Sequence, residues 1–340
     1  MLVLLLPALL CTAAWMAGEL YKQRDPLPDL LASKADLAAV IETPLETRTG
    51  YSLVHVRLRD QRGLEVEGHL RLPSGAQGRH GAIVILGGLR TGRWNAELLP
   101  PIDGWAVLAL DYPHAGAKRG LSRWELVRAL PALRRAALDT VPATGLALDY
   151  LWRRDDIDRE RIVLTAGSFG ALIAPAAAAA EARFSAVALL FGAGDLGALI
   201  HARLDMPWPA RPIVAWLGGV FFSALEPLKY VGRIAPRPLL LLNGTEDSAM
   251  PERCSRLLHE KAGPQATVRW LPLGHVSARA GEFRRSVLPE VLRWLATIGG
   301  ADRRYENDLR SDLNLADKAV VPDAELPVPL ERAGRQNSAR

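Results

Sequence analysis

The distribution of apolar and polar positions predicts two kinds of β-strand along the chain. Residues Tyr51–Arg59 and Leu64–Leu72 alternate between apolar and polar side chains, and a polar stretch with a glycine, 60–63, separates them. Such alternation is typical of an antiparallel hairpin with one buried face. Later runs are apolar for most of their length, which is typical of strands buried on both faces of a parallel sheet. The later predicted strands are Ala82–Leu86, Trp105–Leu110, Ile162–Ala166, Ala186–Phe191, Pro238–Leu242 and Ala266–Leu271.

Helical patterns lie between the predicted strands. We expect prolines to interrupt two of them, because an inner helical turn needs the N–H group that proline lacks. The predicted helices are Asn95–Ile102, interrupted by Pro100 and Pro101; Ser122–Thr140, broken by Pro131; Thr144–Arg153; Leu172–Ala180; and Glu282–Thr297. Strands that alternate with helices over this much of the chain predict one doubly wound, mostly parallel sheet with right-handed crossovers.

Residues 192–235 interrupt this alternation. They separate two predicted strands by far more chain than a usual crossover connection contains. The stretch includes several aromatic residues, among them Trp208, Trp216 and Phe222. We interpret it as a helical cap insertion over the carboxyl edge of the sheet, whose aromatic side chains either line a substrate pocket or pack as ordinary core.

The two ends of the chain differ from its middle. Residues 2–17 contain no charged residue, Glu19 ends this apolar run, and the run is short for a membrane-spanning helix. It predicts a secretory signal peptide or a membrane anchor, with a packed N-terminal helix as the alternative. Residues 300–340 are polar and charged, which predicts a largely disordered tail. We therefore divide the chain into an apolar segment, 1–25, a folded domain, 26–299, and this tail.

Composition limits the function classes. The chain has 340 residues, of which 49% are hydrophobic, so it can bury a sizeable core. Its net charge of +5 comes mainly from arginines scattered beside acidic residues, a distribution that argues against nucleic-acid binding. The two cysteines, Cys11 and Cys254, provide neither a disulfide framework nor a cysteine-based metal site.

A serine stands at the sharpest predicted corner of the chain. An apolar strand leads into Gly167-Ser168-Phe169-Gly170, and an alanine-rich helix follows at once. Small neighbours are needed at such a corner because the backbone bends too tightly for bulky side chains. The stretch matches the G-x-S-x-G nucleophile elbow, with Ala166 in the place of the first glycine. An ordinary strand–helix junction is the alternative interpretation of the same residues.

A nucleophilic serine needs a base, because its hydroxyl is too weakly acidic to attack unaided. Histidine is suited to this role, since it can remove and return a proton near neutral pH. Of the seven histidines, His275 follows the last predicted strand, which places it at the same sheet edge as Ser168. His114 follows the strand that starts at Trp105 and is the rival candidate.

The base in turn needs a carboxylate that orients it. Asp247 comes soon after the strand Pro238–Leu242, again at the carboxyl edge, where doubly wound sheets hold their sites. Glu246 is its immediate neighbour, and Asp195 follows the preceding strand in a comparable place. We favour Asp247 as the orienting carboxylate, and the other two acids stay as alternatives.

Ser168, Asp247 and His275 stand in the chain order nucleophile, acid, histidine. Characteristic stretches precede two of them, 148–162 before the serine and 227–238 before the acid. In this order and spacing the sequence resembles the α/β-hydrolases, and within that superfamily the dienelactone hydrolases and acetyl esterases. The resemblance implies the α/β-hydrolase fold, a mostly parallel doubly wound sheet with an N-terminal antiparallel hairpin and a helical cap insertion.

The resemblance also implies an oxyanion hole made of backbone N–H groups. One donor would be Phe169, directly after the serine, and the other would lie in the Gly87-Gly88-Leu89 turn after an early strand. The His-Gly pair that is usual in the family is absent from this turn. Gly88 and Leu89 are therefore alternatives for the second donor, and we favour Leu89.

The resemblance finally implies a serine hydrolase that uses neither a cofactor nor a metal. Ser168 would attack an acyl carbon, His275 would carry the proton and Asp247 would orient the imidazole. The expected substrate is a small-molecule carboxylic ester; a thioesterase, an amidase, an acyltransferase and a membrane-tethered non-catalytic binding module are the alternatives. No nucleic-acid partner is expected, and the oligomeric state stays open. Residues 2–17 favour a membrane-associated or exported protein, with a cytoplasmic location as the alternative.

Overall fold

A computed structural model describes residues 2–48, 50–74, 78–89, 91–113, 123–276 and 281–298. These residues belong to two compact units. The first unit, Met1–Ala278, contains the whole described β-sheet, and the second, Arg279–Arg340, is described over 281–298. The tail that the sequence predicts over 300–340 lies outside the described residues.

One mixed β-sheet forms the centre of the first unit. Its strands are β1 Leu37–Arg48, β2 Tyr51–Asp60, β3 Glu65–Pro73, β4 His80–Leu86, β5 Trp105–Leu110, β6 Ile157–Gly167, β7 Ala186–Leu190, β8 Leu239–Gly244 and β9 Thr267–Leu271. They pair in the order β1-β2-β3-β5-β4-β6-β7-β8-β9. The pairs from β1 to β5 are antiparallel, and the pairs from β5 through β4 to β9 are parallel. The predicted mostly parallel sheet with an N-terminal antiparallel hairpin is confirmed.

Helices connect the strands. In the first unit they are α1 Leu2–Gln23, α2 Leu27–Ser33, α3 Asn95–Leu98, α4 Arg123–Trp152, α5 Phe169–Ala180, α6 Leu196–Arg203, α7 Ala210–Phe221 and α8 Glu252–Ala262. Short 3₁₀ turns cover Gly92–Trp94, Ser223–Leu225, Pro227–Lys229 and Val231–Arg233. In the second unit a π-helical stretch, Phe283–Val287, continues as α9 Leu288–Ile298. The insertion 192–235 is helical, as the sequence predicts, and contains α6, α7 and three of the 3₁₀ turns.

Four of the five inner strands in the parallel part of the sheet are buried along their whole length. Strands β4, β5, β7 and β8 have no exposed residue, because helices lie on both sides of the sheet. Val84, Leu108 and Leu164 of the sheet share one core with Leu146 of α4 and Ala174 of α5. Burying one such side chain contributes about 1.5–3 kcal/mol for the larger aliphatic residues. This core fixes the positions at which the strands end.

Strand β1 and helix α3 differ from the expectation. Strand β1 is absent from the sequence prediction, because most of its side chains are exposed and it pairs with β2 alone at the edge of the sheet. Helix α3 ends at Leu98, whereas the sequence predicts a helix as far as Ile102. The residue before Pro100, Leu99, is already extended, which is the conformation that a following proline favours.

Helix α4 is one continuous helix of 30 residues, and the predicted division into Ser122–Thr140 and Thr144–Arg153 is wrong. Residue 122 itself lies outside the described part of the chain. The helix runs through Pro131 and Pro142, although a proline inside a helix costs about 3 kcal/mol. The residues that follow Pro142 are buried in the sheet core, Leu146 among them. Packing against the sheet therefore outweighs the local penalty.

The N-terminal helix α1 emerges from the body of the first unit. Every residue from 9 to 17 is exposed, and Gly18 is the one buried residue among 9–23. Among the described residues, no helix is both long and apolar enough to cross a lipid bilayer.

Candidate active site

The corner between β6 and α5 holds Ser168 in a strained backbone conformation. Its φ is 55° and its ψ is −117°, a region that costs a residue with a side chain on the order of 1–3 kcal/mol. The amide of Ser168 donates a hydrogen bond to the carbonyl of Leu190 at 2.9 Å, which fixes the corner to the end of β7. The corner therefore presents the serine hydroxyl at the carboxyl edge of the sheet.

Two small residues flank this corner. A Cβ atom on Gly170 would lie 2.1 Å from the carbonyl oxygen of Leu86, so only glycine allows α5 to approach the end of β4. Ala166 instead stands in regular strand pairing, opposite Leu86 on one side and Leu189 on the other. Because a paired strand residue needs no unusual backbone angles, alanine is compatible with the place of the elbow's first glycine.

His275 follows β9 and contacts Ser168. Its Nε2 atom lies 2.8 Å from the serine Oγ, and its Nδ1 atom lies 2.7 Å from Oδ2 of Asp247. A carboxylate can only accept, so Nδ1–H donates to Asp247, and Nε2 is left to accept the hydroxyl proton of Ser168. The ring of Phe191 packs edge-on against the imidazole, with 5.4 Å between the ring centres.

Asp247 lies in the loop after β8 and is buried. Its Oδ1 atom accepts hydrogen bonds from the backbone N–H groups of Ala249, at 2.7 Å, and Met250, at 2.9 Å. Its Oδ2 atom accepts from His275. Both carboxylate oxygens are therefore held, and the imidazole is held through them.

The alternative candidates occupy other positions. Glu246 is exposed. Asp195 accepts a hydrogen bond from the amide of Ala198 at 3.0 Å and caps the start of α6. His114 lies outside the described residues. Across the described part of the chain, no group of three or more His, Cys, Asp or Glu side chains is arranged to hold a metal ion.

Hydrogen bonds fix two carbonyl groups in the turn after β4. The hydroxyl of Tyr112 donates to the carbonyl of Gly87, and the amide and hydroxyl of Thr91 donate to the carbonyl of Gly88 at 3.1 and 3.2 Å. In a trans peptide the N–H group points opposite to the carbonyl. The amides of Gly88 and Leu89 therefore face away from Tyr112 and Thr91. The choice between these two amides stays a prediction.

The other predicted donor, the amide of Phe169, stands at the first position of α5. The first amides of a helix have no acceptor within the helix, so this N–H group is available to a ligand. The ring of Phe169 packs edge-on against Tyr112, with 5.2 Å between the ring centres. Tyr112 therefore contacts both segments that hold the predicted donors.

Tyr112 is the residue that the sequence reasoning missed. It follows β5, two positions before His114 in the sequence, and it is buried. Burial, together with the Asp111 carboxylate, raises the pKa of Tyr112, so the hydroxyl stays protonated and can donate. A polar residue directly after a buried strand is a signal that could have identified it.

Arg93 anchors the segment that follows the turn. Its backbone N–H donates to Oδ1 of Asp111 at 2.8 Å, and its Nε atom lies 3.0 Å from Oδ2 of the same carboxylate. Its guanidinium also pairs with Glu67 of β3. The preceding Gly92 has a φ of +43°, and a Cβ atom there would lie 2.2 Å from Asp111. Two ion pairs and one glycine thus set the path of the chain between β4 and α3.

The insertion supports the loop that carries Asp247. Leu196 and Leu199 of α6 are buried in one cluster with Met250 and Cys254, which lie just beyond Asp247. The start of the insertion is held by the Glu226 carboxylate, which accepts the amides of residues 195 and 196 at 2.8 Å each. Burial raises the pKa of Glu226, and these backbone hydrogen bonds act in the opposite direction.

Comparisons with known proteins agree with this architecture. No protein-family model matches the chain, and no curated protein matches it. The structure is similar to acetyl xylan esterase 1 from a Thermoanaerobacterium species, with a TM-score of 0.62 and 15% identity over 80% of this chain and 92% of that one. An acetyl xylan esterase from a Paenibacillus species gives 0.58 and 17%, over 78% and 90%. The 2,6-dihydroxy-pseudo-oxynicotine hydrolase gives 0.54 and 23%, over 72% and 67%. At these identities the similarity is one of fold, and the chain has the α/β-hydrolase fold.

Proposed function

We propose that this protein is a serine hydrolase that cleaves a small-molecule carboxylic ester through an acyl-enzyme intermediate. The observation that carries the proposal is the unbroken series of hydrogen bonds from the hydroxyl of Ser168 through His275 to Asp247. The names of two similar structures, both acetyl xylan esterases, support an ester as the bond that is cleaved.

In the first step Oγ of Ser168 forms a bond to the acyl carbon. Nε2 of His275 takes the hydroxyl proton, and the carbonyl π electrons move onto the oxygen, which becomes an oxyanion. The buried Asp247 carboxylate accepts from Nδ1 and stabilises the imidazolium that forms. The amide of Phe169 and one amide of the turn after β4 stabilise the oxyanion, an effect worth about 2.7–4 kcal/mol for one donor in other hydrolases.

In the second step the bond between the acyl carbon and the leaving oxygen breaks. The imidazolium of His275 gives its proton to that oxygen, and the alcohol leaves. Water then attacks the acyl-enzyme while His275 takes its proton, and the collapse of this intermediate returns the proton to Ser168 and releases the carboxylic acid. Every proton is carried by Nε2, the ring atom that contacts the serine.

Labelling with a fluorophosphonate probe tests the proposal. We expect one probe per folded chain, labelling lost in Ser168→Ala, and labelling retained in the control Ser248→Ala, whose exposed serine lies beside Asp247. Folded protein that takes up no probe would contradict the hydrolase and favour a non-catalytic binding module.

A panel of p-nitrophenyl esters of increasing acyl length then defines the substrate class. Hydrolysis of these esters supports an esterase. Product that forms only after an acceptor alcohol or amine is added would instead indicate an acyltransferase that uses the same acyl-enzyme.

A further inference from the structure

We infer that α1 and α7 together form a membrane-docking surface, and that its partner is an anionic phospholipid bilayer. The docking surface consists of residues 9–17 of α1 together with Trp208, Ile213 and Leu217 of the insertion. The docking surface is therefore not limited to the N-terminal apolar segment. It includes three residues of the insertion, and this insertion also supports the loop that carries Asp247.

The α1 part of the docking surface is apolar and unusually accessible. Every residue from 9 to 17 is exposed, and none is charged. Leu9, Leu10 and Trp15 are each more than half exposed. Two helical turns with no charged side chain do not form a normal water-facing surface, since a helix at the surface of a protein keeps a polar face. Another apolar phase is needed to cover them.

Helix α1 is held to α7 by a specific contact. A Cβ atom on Gly18 would lie 2.4 Å from the ring of Trp216, so glycine lets the two helices touch. The indole Nε1–H of Trp216 donates to the carboxylate of Glu19 at 2.8 Å. The contact at Gly18 and Glu19 therefore fixes the end of the exposed turns of α1 to the insertion.

Helices α1 and α7 are parallel. Gly18 touches Trp216, and three residues later Tyr21 lines a cavity of about 300 Å³ together with Ser223 and Ala224, which follow α7. The start of α7 therefore lies toward the same side as the exposed turns of α1.

The residues that lead into α7 and one face of α7 itself are apolar and exposed as well. The side chain of Trp208 is 84% exposed, and Ile213 and Leu217 are 55% and 51% exposed. Ile213 and Leu217 are four residues apart and share one face of α7. They extend the apolar surface of α1 onto the insertion.

Two arginines flank the segment that carries Trp208, and their positive charge selects an anionic partner: Arg203 ends α6, and Arg211 lies in the first turn of α7. Arg203 donates to the carbonyl of Ser248 at 3.4 Å, and Arg211 donates to the carbonyl of His201 at 2.8 Å. Neither guanidinium forms an ion pair within the described part of the chain, and Asp205 is the one acidic residue between 200 and 220. Arginines on either side of an exposed tryptophan are complementary to anionic headgroups at a membrane interface.

Co-sedimentation with lipid vesicles tests this inference. The variant Ile213→Ser with Leu217→Ser is compared with Ile41→Ser with Leu45→Ser on strand β1, because Ile41 and Leu45 are 55% and 49% exposed and so match the tested pair. On vesicles of phosphatidylglycerol and phosphatidylcholine we expect the α7 variant to bind at least about tenfold more weakly than wild type, and the β1 variant to bind like wild type. Equal binding of all three proteins would overturn the inference.

Charge and folding are tested separately. We expect Arg203→Gln with Arg211→Gln to weaken binding to the anionic vesicles alone, with the difference lost at high salt. An equal loss on vesicles of pure phosphatidylcholine would contradict the choice of an anionic partner.

If the α7 double variant does not fold, Trp208→Ser replaces it, because that side chain is almost fully solvated. An unchanged vesicle affinity for folded Trp208→Ser would likewise overturn the inference.

A second copy of the chain is the competing partner. Light scattering that shows a dimer for the wild type and a monomer for the α7 variant, with unchanged vesicle binding, would overturn the membrane partner. All binding measurements are repeated with Ser168→Ala, which removes the proposed nucleophile. Vesicle binding by this variant is then measured in the absence of the proposed hydrolase activity.

Discussion

Two clusters of serine, histidine and a carboxylate or carboxamide lie near the end of β8, and their side chains have different surroundings. The edge cluster is Ser168, His275 and Asp247, and the inner cluster is Ser255, His259 and Asn243. In the edge cluster the serine hydroxyl contacts the imidazole, and the imidazole contacts a carboxylate. In the inner cluster the serine, the histidine and the carboxamide are connected in another order.

In the inner cluster the histidine is an inert partner. Nε2 of His259 lies 2.9 Å from the amide oxygen of Asn243, so this nitrogen donates, and the hydroxyl of Ser255 donates to the carbonyl of Gly192 at 3.0 Å. Burial, followed by the nearby Arg256, lowers the pKa of His259 to about 4. A serine and a histidine that lie close together are therefore not enough for the proposed catalysis, which also needs the order of hydrogen bonds and the carboxylate of the edge cluster.

Replacing the serine of each cluster gives the largest contrast. We expect Ser168→Ala to lower kcat/KM for p-nitrophenyl acetate by at least about 10⁴-fold, because it removes the attacking oxygen. We expect Ser255→Ala to leave kcat/KM nearly unchanged and to lower the free energy of unfolding by about 1–2 kcal/mol, since the carbonyl of Gly192 loses a donor. Ester hydrolysis and urea unfolding measure the two effects. Comparable losses of activity in both variants would remove the distinction between the clusters.

Exchanging the acidic and amide partners tests the role of the negative charge. We expect Asp247→Asn to lower kcat by about 10³- to 10⁴-fold with the fold intact, because a carboxamide can hold the imidazole in the wrong tautomer. We expect Asn243→Asp to destabilise the protein by about 3 kcal/mol or more, because it places a carboxylate against the buried carbonyl of Gly192. Steady-state kinetics and thermal unfolding are the measurements. Ester turnover by Asn243→Asp in a Ser168→Ala background would show that the inner cluster can become catalytic.

Removing one tyrosine hydroxyl tests how far the support of the edge cluster extends. We expect Tyr112→Phe to lower kcat by about tenfold with little change in KM, which is less than the 10²- to 10³-fold loss on removing an oxyanion donor itself. Tyr230→Phe is the matched control, because its hydroxyl also donates to a backbone carbonyl, that of Ala224. We expect both variants to lose about 1 kcal/mol of stability. A fall in kcat that is equal in the two variants would assign Tyr112 a structural role only.

The last prediction concerns stability alone, because His259 makes the free energy of unfolding depend on pH. Its pKa is about 4 in the folded chain, whereas a solvated histidine of the unfolded chain has a pKa of about 6.5. Between these values the unfolded chain binds more protons, so stability rises with pH in this window, and about 3 kcal/mol is lost as the pH falls from about 6.5 to about 4. We expect His259→Gln, which can still donate to Asn243, to lose less stability over the same range in urea unfolding. Identical pH profiles would show that His259 is not the titrating group.

The strand–helix corner at Ser168 could be predicted from the sequence because its determinants are local. The apolar strand, the small residues and the helix that follows Ser168 are contiguous. The two loops that hold Asp247 and His275 could be placed at the same edge because parallel strands all end there. These inferences need only the direction of the strands.

The remaining features depend on which strands are neighbours. Tyr112 reaches Gly87 because β5 lies directly beside β4, an adjacency that comes from the strand order. Strand β1 gives little pattern because most of its side chains face solvent. The continuity of α4 through Pro142 depends on burial against the sheet, which outweighs the local preference of proline to end a helix.

The backbone angles of Ser168 oppose stability to the proposed activity. Glycine adopts a positive φ without the penalty of about 1–2 kcal/mol that a side chain meets. Ser168→Gly would therefore melt a few degrees higher than the wild type while losing the proposed nucleophile. Laboratory selection for heat resistance alone would enrich such inactive chains, so a stabilised catalyst has to be selected on product formation at the same time.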